Sequence, residues 1–300
     1  MMKIGFLACP ETLPSSGTER RGDAFEHDLQ VAALRPSLEE RGAELTEIDW
    51  HSPLGDFAQF DLVLLGTVWD YQDQPEAFLA KIEAIEASGV RVCNSPALVR
   101  WNIDKVYLQD LAKVGVKTIP TLWNDNPNRA DISAAFEHFG CDRLVVKLRV
   151  SGGAIGQLIF AQDDLPDAEW QMGQKAMIQP FLPAIQAEGE LSFVFIDGAF
   201  SHAIQKTPSK GEYRIQSLYG GQETSVNPSD QDIASALSVL RTMPRTTPGD
   251  TPLYARIDML RADDGGLLVM EAEAIEPFLY PVQGPELGER IAEAIVARLA

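Results

Sequence analysis

The chain has 300 residues, of which 45% are hydrophobic and 23% are charged, a composition that is ordinary for a folded globular protein. This length is enough for about two domains with substantial cores. The formal net charge of −19 opposes non-specific binding to nucleic acid or anionic lipid. We therefore expect neither nucleic acid nor a membrane as a partner.

The cysteines Cys9, Cys93 and Cys141 are widely spaced, without a CxxC pair. This spacing argues against a disulfide framework or a zinc site and favours a reducing, cytoplasmic location. No apolar run is long enough to cross a bilayer. The first ten residues carry one lysine and a short apolar run, which is more typical of a buried strand than of a cleavable signal peptide.

The first hundred residues alternate between strand and helix patterns. Strands are predicted over 3–8, 44–50, 60–71 and 90–95, and helices over 24–42 and 74–89. In the first helix the apolar residues at helical spacing are Phe25, Leu29, Ala32 and Ala33. We expect Pro36 to interrupt this helix and Gly42 to supply its C-cap. The alternation predicts a small α/β domain with a mainly parallel sheet.

The remainder of the chain is richer in strands. A helix with breaks is predicted over 95–116, short strands over 117–123, 143–150 and 177–182 around a helix at 130–140, and a last helix over 286–300. Residues 191–207 are predicted to form a hairpin with Asp197-Gly198 at its turn, and 254–274 a second hairpin.

The stretch LLVMEAEAIEPFLY, residues 267–280, places Glu271, Glu273 and Glu276 in a segment that is otherwise typical of a buried strand. Burying an unpaired carboxylate costs several kcal/mol, so each of these glutamates needs a partner. Two explanations are open. The glutamates face solvent or pair with arginines, or they bind a metal.

The register of the second hairpin bears on this choice. If Asp264-Gly265 is a two-residue turn, Asp263 faces Gly266. Asp258 then lies opposite Glu271 and Arg256 opposite Glu273, and these last four side chains share one face of the hairpin. Like charges directly opposite each other are destabilising unless a cation lies between them. Oxygen ligands without His or Cys suit Mg²⁺ or Mn²⁺. A surface hairpin with a salt bridge fits the hairpin alone equally well.

A glycine-rich loop follows a predicted strand that contains Lys147. Gly152, Gly153 and Gly156 would let backbone N–H groups approach phosphate oxygens, and the lysine would add a positive charge. The Walker A pattern is absent. On its own, this loop is equally consistent with an ordinary hairpin turn.

Together, these motifs resemble those of the ATP-grasp enzymes, especially their glutathione-synthetase-like branch, over about residues 95–285. The segments that carry the resemblance are NIDKVYLQDLAKVGVKTIPT, VVKLRVSGGAIG, MIQPFLPAIQAEGELSFVFIDG, KGEYRIQSLYGG and RIDML…LVMEAEAIEPFLY. The E-x-E-x-I-E-P ending, with RWN-x-DK and TVWDY, is most similar to the ATP-grasp ligase that forms D-cycloserine and its neighbours.

The resemblance implies a site for ATP. Lys147 would contact the α/β phosphates, Gln179 to Leu182 would line the adenine, and Glu190 would hold the ribose hydroxyls. The full set of expected nucleotide-binding residues is Lys105, Lys147, Ser151, Gly152, Gly153, Gln179, Pro180, Phe181, Leu182, Glu190 and Lys206.

The resemblance also implies two Mg²⁺ or Mn²⁺ ions, held by Asp258, Glu271 and Glu273. Most relatives carry Asn where this chain has Glu273, and the extra charge would tighten metal binding or change its geometry. Arg256 and Arg214 would neutralise charge on the acyl oxygen or γ-phosphate. Gly220 and Gly221 would lie near the transferred phosphate.

The acceptor site is expected between the N-terminal domain and the metal strands. Trp69, Asp70 and Tyr71 follow an apolar strand, at the edge where α/β sheets bind ligands. Asp70 would pair with a substrate ammonium, and Trp69 would form a wall. Arg21 would bind a substrate carboxylate. The alternatives are that both aromatics belong to the core and that the arginine lies in a solvated loop.

The expected architecture is an ATP-grasp fold of the α/β (α+β) class. It comprises an N-terminal mainly parallel α/β domain over 1–112, a small lid domain over 113–178 and a C-terminal antiparallel-sheet domain over 179–300. The expected activity is ATP-dependent ligation of a small carboxylate and an amine through an acyl phosphate, forming an amide or closing a ring, as in D-cycloserine formation. The alternatives are a kinase-like phosphotransferase and a non-catalytic nucleotide sensor. We expect a homodimer.

Overall fold

The secondary structure is mixed α/β, and the computed structural model describes residues 1–244 and 251–300. The strands are β1 (Met2–Ala8), β2 (Ala43–Asp49), β3 (Leu62–Thr67), β4 (Arg91–Cys93), β5 (Leu122–Asn124), β6 (Arg143–Leu148), β7 (Leu158–Ala161), β8 (Ala176–Pro180), β9 (Glu190–Ile196), β10 (Ala199–Thr207), β11 (Gln222–Val226), β12 (Tyr254–Arg261) and β13 (Leu267–Glu273). The helices are α1 (Phe25–Glu39), α2 (Leu54–Phe57), α3 (Pro75–Ala87), α4 (Pro96–Asn102), α5 (Tyr107–Lys113), α6 (Arg129–Phe139), α7 (Ala184–Ala187), α8 (Asp230–Thr242) and α9 (Leu287–Leu299). Short 3₁₀ turns lie at Trp69–Asp73 and Ser217–Tyr219.

The N-terminal strands form a parallel sheet in the order β2-β1-β3-β4, which confirms the predicted α/β region. Every residue of β3 is buried, as expected for a strand covered on both faces. Helices α1 and α9 share one core with this sheet, and α3 packs in the core on its other face. Among the described residues, no helix is long and apolar enough to span a membrane.

Helix α1 differs from its prediction in two ways. Pro36 lies within its last turns without interrupting it, and the helix ends at Glu39, three residues before Gly42. The buried face includes Gln30 and Val31, whereas Phe25 is 46% exposed. A polar residue is accepted in the core here because Gln30 Oε1 receives a hydrogen bond from the Leu279 backbone N–H at 3.2 Å.

The strands of the C-terminal half form an antiparallel sheet in the order β11-β10-β9-β12-β13. The predicted Asp-Gly turn is confirmed, since Ile196 pairs with Ala199 and the two residues between them have φ of 49° and 78°. Two positive φ angles are the signature of a type I′ turn, which is why Asp197-Gly198 suits this position.

The second hairpin has the predicted pairs at its base but not at its tip. Arg256 pairs with Glu273 and Asp258 with Glu271, as predicted. The predicted pairing of Asp263 with Gly266 is wrong, because the backbone N–H of Ala262 donates to the Gly266 carbonyl at 2.8 Å. A bulge between Asp258 and Met259 shifts the register by one residue. The prediction misplaced the turn by one residue and did not include this bulge. The two errors offset each other, so the pairs at the base are correct.

A third sheet, also antiparallel, has the order β5-β8-β6-β7. Elements β7, β11 and α8 have no counterpart in the prediction. The sequence does contain a signal for α8, because Ser229 caps the helix by accepting the Asp232 backbone N–H at 3.2 Å, and Ala236 and Leu240 are buried at helical spacing. The proposed domain boundaries stay a prediction.

Gly288 offers a test of the packing of α9 on α1. A Cβ atom built there would lie 1.9 Å from the Ala33 carbonyl oxygen. We expect Gly288→Ala to lower the free energy of unfolding by roughly 1–3 kcal/mol, because the clash outweighs the better helix propensity of alanine. Urea denaturation measures this change.

Gly55→Ala is the matched control, since Gly55 is helical and a Cβ atom added to it would meet nothing within 4 Å. We expect it to stay within about 0.5 kcal/mol of the wild type or to be more stable. Equal stabilities for the two variants would contradict the close packing at Gly288.

Candidate active site

A cavity of about 300 Å³ is lined by residues from both antiparallel sheets and by the 3₁₀ turn that follows strand β3 of the parallel sheet. It brings together most of the residues that the sequence singled out: Arg21, Trp69, Tyr71, Lys105, Lys147, Ser151, Gly152, Gly153, Gln179, Pro180, Phe181, Leu182, Glu190, Lys206, Arg214, Arg256, Asp258, Glu271 and Glu273. The predicted residues that do not line it are Asp70, Gly220 and Gly221.

Arg256 is the centre of a buried charge cluster on strand β12. Its Nε donates to both carboxylate oxygens of Asp258 at 3.0 and 3.1 Å, and its Nη2 bonds Asp258 and Glu273. The Nη1 atom donates to the Phe278 carbonyl at 3.0 Å. The predicted cross-strand pair Arg256–Glu273 is therefore a salt bridge. Arg256 and Asp258 are only 7% and 2% exposed.

Lys206, on strand β10, extends the cluster to Glu190 on strand β9. Its ammonium pairs with Glu190, which is fully buried, and lies 3.5 Å from Asp258. The Ser192 hydroxyl lies 3.2 Å from Glu190 and 2.5 Å from Asp258, so it bridges the two acids. The second oxygen of Glu190, Oε2, is buried without a hydrogen-bond partner among the described residues.

The pKa values of these acids move in opposite directions. Burial alone would raise the pKa of Asp258, but its ion pairs with Arg256 and Lys206 hold it below the ordinary value. Burial, with the nearby charge of Asp258, raises the pKa of Glu190 to about 7. Burial also raises the pKa of Glu273 well above its usual range, and the charges of Asp258 and Glu271 add to this effect.

The cluster fits a divalent metal ion. Asp258, Glu273 and Glu190 supply three carboxyl groups, whereas Arg256 and Lys206 supply two positive charges. The ligand atoms are carboxylate oxygens alone, as Mg²⁺ and Mn²⁺ prefer. One carboxyl group is left without a cation, in agreement with the raised pKa values of Glu190 and Glu273, and a bound cation would favour its ionised form.

Among the described residues, the tightest group of three metal-ligand side chains lies elsewhere, at Cys9, Glu11 and Asp70. Both carboxylate oxygens of Asp70 already accept hydrogen bonds, from Trp50 at 2.6 Å and from His51 at 2.7 Å. This corner therefore supplies fewer free ligand atoms than its composition suggests.

Strand β13, which carries Glu271 and Glu273, is at the edge of its sheet and is held from outside by side chains. Asn102 donates to the Ala272 carbonyl at 2.6 Å and accepts the Ala274 N–H at 2.8 Å, and the Tyr107 hydroxyl accepts the Ala272 N–H at 2.9 Å. These contacts satisfy the free edge and fix the direction of both glutamates.

Lys105 and Lys147 lie beside the cluster. Lys105 pairs with Glu271 at 3.1 Å and donates to the Ser151 carbonyl, so it joins the carboxylate strand to the glycine loop. Burial lowers the pKa of Lys147, since the charge of Glu271 only partly offsets the desolvation. An anionic ligand would stabilise the charged form of both lysines.

The glycine loop contacts the 3₁₀ turn that bears the predicted acceptor residues. The backbone N–H of Gly152 donates to Gln72 Oε1 at 2.7 Å. A Cβ on Gly152 would lie 2.4 Å from Gln72 Nε2, so a glycine is needed for this close approach. We name this contact the loop latch.

Another part of the cavity wall is apolar. Ile119, Val145, Phe181 and Leu260 belong to one hydrophobic cluster there. Gln179 keeps its side chain fixed by donating to the Thr121 hydroxyl at 2.9 Å. An apolar slot beside backbone polar groups suits a planar heterocycle.

Arg214 and the glycine pair have different roles in one loop. The Arg214 guanidinium lies 3.7 Å from the Tyr219 ring centroid and bonds Glu212 at 2.6 Å, which together hold it at the cavity wall. Gly220 and Gly221 shape the backbone instead. A Cβ on Gly221 would lie 1.9 Å from the Ile215 carbonyl oxygen.

The acceptor end contains some of the predicted residues. Arg21 lies 5.2 Å from the Trp69 ring centroid and makes two hydrogen bonds, both 2.9 Å, to Asp23. Tyr71 is buried, as the core alternative required, yet it also lines the cavity. Asp70 points away from the cavity because Trp50 and His51 bind its carboxylate.

Glu276 is a cavity residue to which the sequence assigned no role. It accepts a hydrogen bond from the Tyr71 hydroxyl, and burial raises its pKa to about 7. The signal was its place in an otherwise apolar segment, but its partner lies far away in the sequence.

Comparisons with solved structures agree with this architecture. The crystal structure of D-cycloserine synthetase DcsG matches with a TM-score of 0.82 at 22% identity, over 99% of this chain and 100% of that one. D-alanine–D-alanine ligase from Bacillus anthracis matches with a TM-score of 0.68 at 15% identity, over 100% and 97%. The ATP-grasp ligase PsnB, complexed with a phosphomimetic variant of its minimal precursor, Mg and ADP, matches with 0.67 at 16%, over 99% and 98%.

The chain has the ATP-grasp fold. Sequence relatives are consistent with this assignment. The DcsG N-terminal domain family, described as D-cycloserine synthetase, matches residues 4–94. Cycloserine biosynthesis protein DcsG of Streptomyces lavendulae is 27% identical over 287 residues, 91% of this chain and 94% of that protein. A glutathione synthetase of Prochlorococcus marinus (strain MIT 9313) is 27% identical over 269 residues, 78% and 80% respectively.

The two hydrogen bonds from Asn102 to the backbone at Ala272 and Ala274 predict that its replacement destabilises the protein. We expect Asn102→Ala to lower the free energy of unfolding by roughly 2–6 kcal/mol, because two buried backbone groups lose their partners at about 1–3 kcal/mol each. Chemical denaturation checks this value. The exposed Asn227→Ala is the control. A loss as small as that of the control would contradict the role given to Asn102.

Proposed function

We propose that the protein is an ADP-forming ATP-grasp ligase that joins a carboxylate to an amine. The observation that carries this proposal is a single cavity in which a carboxylate cluster rich in negative charge faces two lysines, with an apolar slot at one end and polar groups at the other. The apolar slot and the lysines suit ATP, the carboxylate cluster suits a metal ion, and the polar end suits a small substrate.

The nucleotide would occupy the slot and the lysines. Its base would lie against Phe181 and Leu182, with backbone contacts from the strand at Gln179 and Pro180. Lys105 and Lys147 would bind its phosphates, and the loop at Ser151, Gly152 and Gly153 would cover them. Glu190, whose second oxygen has no partner in the described part of the chain, would accept ribose hydroxyls, and Lys206 would keep Glu190 in place.

Two Mg²⁺ ions, or Mn²⁺ in their place, would be held by Asp258, Glu271 and Glu273. When bound, they supply positive charge to the transferring phosphoryl group. The glutamate at 273, where asparagine is usual in this fold, brings a further negative charge, which Arg256 offsets in the structure.

Arg256 and Arg214 would stabilise negative charge as the substrate carboxylate becomes an acyl phosphate. The substrate would be small and amino-acid-like, contacting Trp69, Tyr71 and Arg21 at the acceptor end. Attack by an amine of a second molecule would give an amide, and attack by an amine of the same molecule would close a ring. The similarity to DcsG supports ring closure of the kind named for that protein.

We further propose a cytoplasmic homodimer. Cys9 and Cys141 are free thiols, which is consistent with a reducing compartment. Static light scattering would give the oligomeric state.

The test is ADP release with Mg²⁺ and a panel of small amino acids and carboxylates, including O-ureido-serine, with hydroxylamine as a trap. We expect ADP release to depend on one carboxylate and to yield its hydroxamate, because hydroxylamine intercepts an acyl phosphate. A chelator should abolish both signals. A phosphorylated product without hydroxamate would indicate a phosphotransferase, and ATP binding without turnover would indicate a sensor.

Glu271→Gln is the variant for the metal, since Glu271 pairs with Lys105 at the partly exposed edge of the cluster. We expect it to raise the Mg²⁺ concentration needed for half-maximal ADP release by at least about tenfold. The exposed Glu286→Gln should leave that concentration unchanged.

The loop latch predicts how well ATP use is coupled to product. Gln72→Ala removes the hydrogen bond to Gly152 and should loosen the glycine loop, so water reaches the acyl phosphate. We expect the ratio of ADP to ligated product to rise by about three- to tenfold. The exposed Gln231→Ala should keep the wild-type ratio. An unchanged ratio in Gln72→Ala would show that the loop latch does not protect the acyl phosphate from water.

A further inference from the structure

Glu276 lines the cavity without a salt bridge to any of the described residues. The neighbouring carboxylates differ from it, because Asp258 and Glu273 pair with Arg256, and Glu271 pairs with Lys105. A partly buried carboxylate without a positive partner is costly, so its retention in a ligand cavity calls for a cationic or proton-bearing ligand.

The backbone around Glu276 is firmly held. The Ile275 carbonyl accepts a hydrogen bond from the Tyr254 hydroxyl at 3.0 Å, the Phe278 carbonyl accepts one from Arg256 at 3.0 Å, and the Leu279 N–H donates to Gln30 at 3.2 Å. Contacts on both sides therefore fix the position of this side chain, as a preorganised catalytic group requires.

Tyr71 orients the carboxylate from the N-terminal sheet. It is buried, packs on Phe78 with ring centroids 5.2 Å apart, and donates its hydroxyl hydrogen to Glu276. A carboxylate has about four acceptor sites, so one phenol leaves acceptor capacity for a ligand. The same 3₁₀ turn carries Trp69, which lines the acceptor end.

We propose that Glu276, oriented by Tyr71, is the catalytic residue that binds the attacking amino group and accepts its proton. This inference rests on the proposed ligase function and adds the identity of the amine subsite. The substrate class it selects is a primary amine, presented beside the carboxylate cluster.

In the proposed step, the nitrogen lone pair of the free amine forms a bond to the carbonyl carbon of the acyl phosphate. The carbon–oxygen bond to phosphate breaks, and its electron pair leaves with the phosphate. The nitrogen releases one proton, which Glu276 accepts. Burial raises the pKa of Glu276 to about 7, so its carboxylate can accept a proton near neutral pH. Glu271, Lys105, Tyr71 and Tyr254 are the titratable groups whose charges act on it.

The first test measures amine binding without ATP, so it does not depend on ligase activity. Ethylamine, a primary amine without a carboxylate, is titrated into the full chain and followed by ligand-observed NMR. We expect saturable binding to the wild type, at least tenfold weaker binding to Glu276→Gln, and intermediate binding to Glu276→Asp. Equal binding to the wild type and Glu276→Gln, or no saturable binding to the wild type, overturns the proposal.

The second test separates carboxylate activation from amine attack. Hydroxylamine is largely unprotonated at neutral pH and needs no protein base, so hydroxamate reports acyl-phosphate formation alone. We expect Glu276→Gln to keep hydroxamate formation within about twofold and to lower amide formation by at least about 100-fold. A parallel loss of both products overturns the proposal, because Glu276 would then serve activation.

Circular dichroism and the melting temperature establish that each variant folds. Tyr71→Phe provides a second variant that keeps the carboxylate, and we expect it to lower amide formation about fivefold while hydroxamate formation stays unchanged. If the wild type gives no hydroxamate with any carboxylate, the proposed ligase function fails, and the ethylamine titration alone decides the role of Glu276.

Discussion

Neutralising buried charge is the constraint on which the site depends. Asp258, Glu273 and Glu190 lie on an otherwise apolar sheet, and each would cost several kcal/mol if it were left unpaired. Arg256 and Lys206 remove most of this cost but leave three carboxyl groups facing two cations. Burial of the carboxyl group in excess raises the pKa values of Glu190 and Glu273. Under the proposed function, a bound metal ion would supply the missing positive charge.

The rest of the cavity follows from where this cluster sits. Strand β13 is the last strand of its sheet, and the cavity beside it is also lined by the 3₁₀ turn after β3 and by the glycine loop. Lys105 links β13 to the glycine loop, since it bonds Glu271 and the Ser151 carbonyl. Gln72 makes the corresponding link between the glycine loop and the acceptor turn. Phosphate, metal and acceptor surfaces thus share a few connecting side chains.

Local patterns predicted the parallel sheet and the base of the carboxylate hairpin, whereas the resemblance to ATP-grasp enzymes implied most of the cavity residues. The hairpin tip was misplaced by one residue, and the pairs at its base were still right because the bulge restored the count. Asp70 could not be oriented from sequence, because successive residues of a 3₁₀ turn point in different directions and its partners Trp50 and His51 come from another part of the chain. Gly221 was expected near the transferred phosphate, and the backbone atom that excludes a side chain there is visible only in three dimensions.

The outer edge of β13 has a consequence for how this protein can be divided. Its backbone groups are satisfied by Asn102 and Tyr107 and, further along, by the main chain at Lys117 and Ile119. A cut within or directly after residues 102–119, which separates these contacts from β13, would expose that edge as a template for strand addition, and aggregation would follow. The segment from Asn102 to Ile119 thus belongs with the carboxylate strand it covers. Chimeras between members of this fold should inherit the two from the same parent.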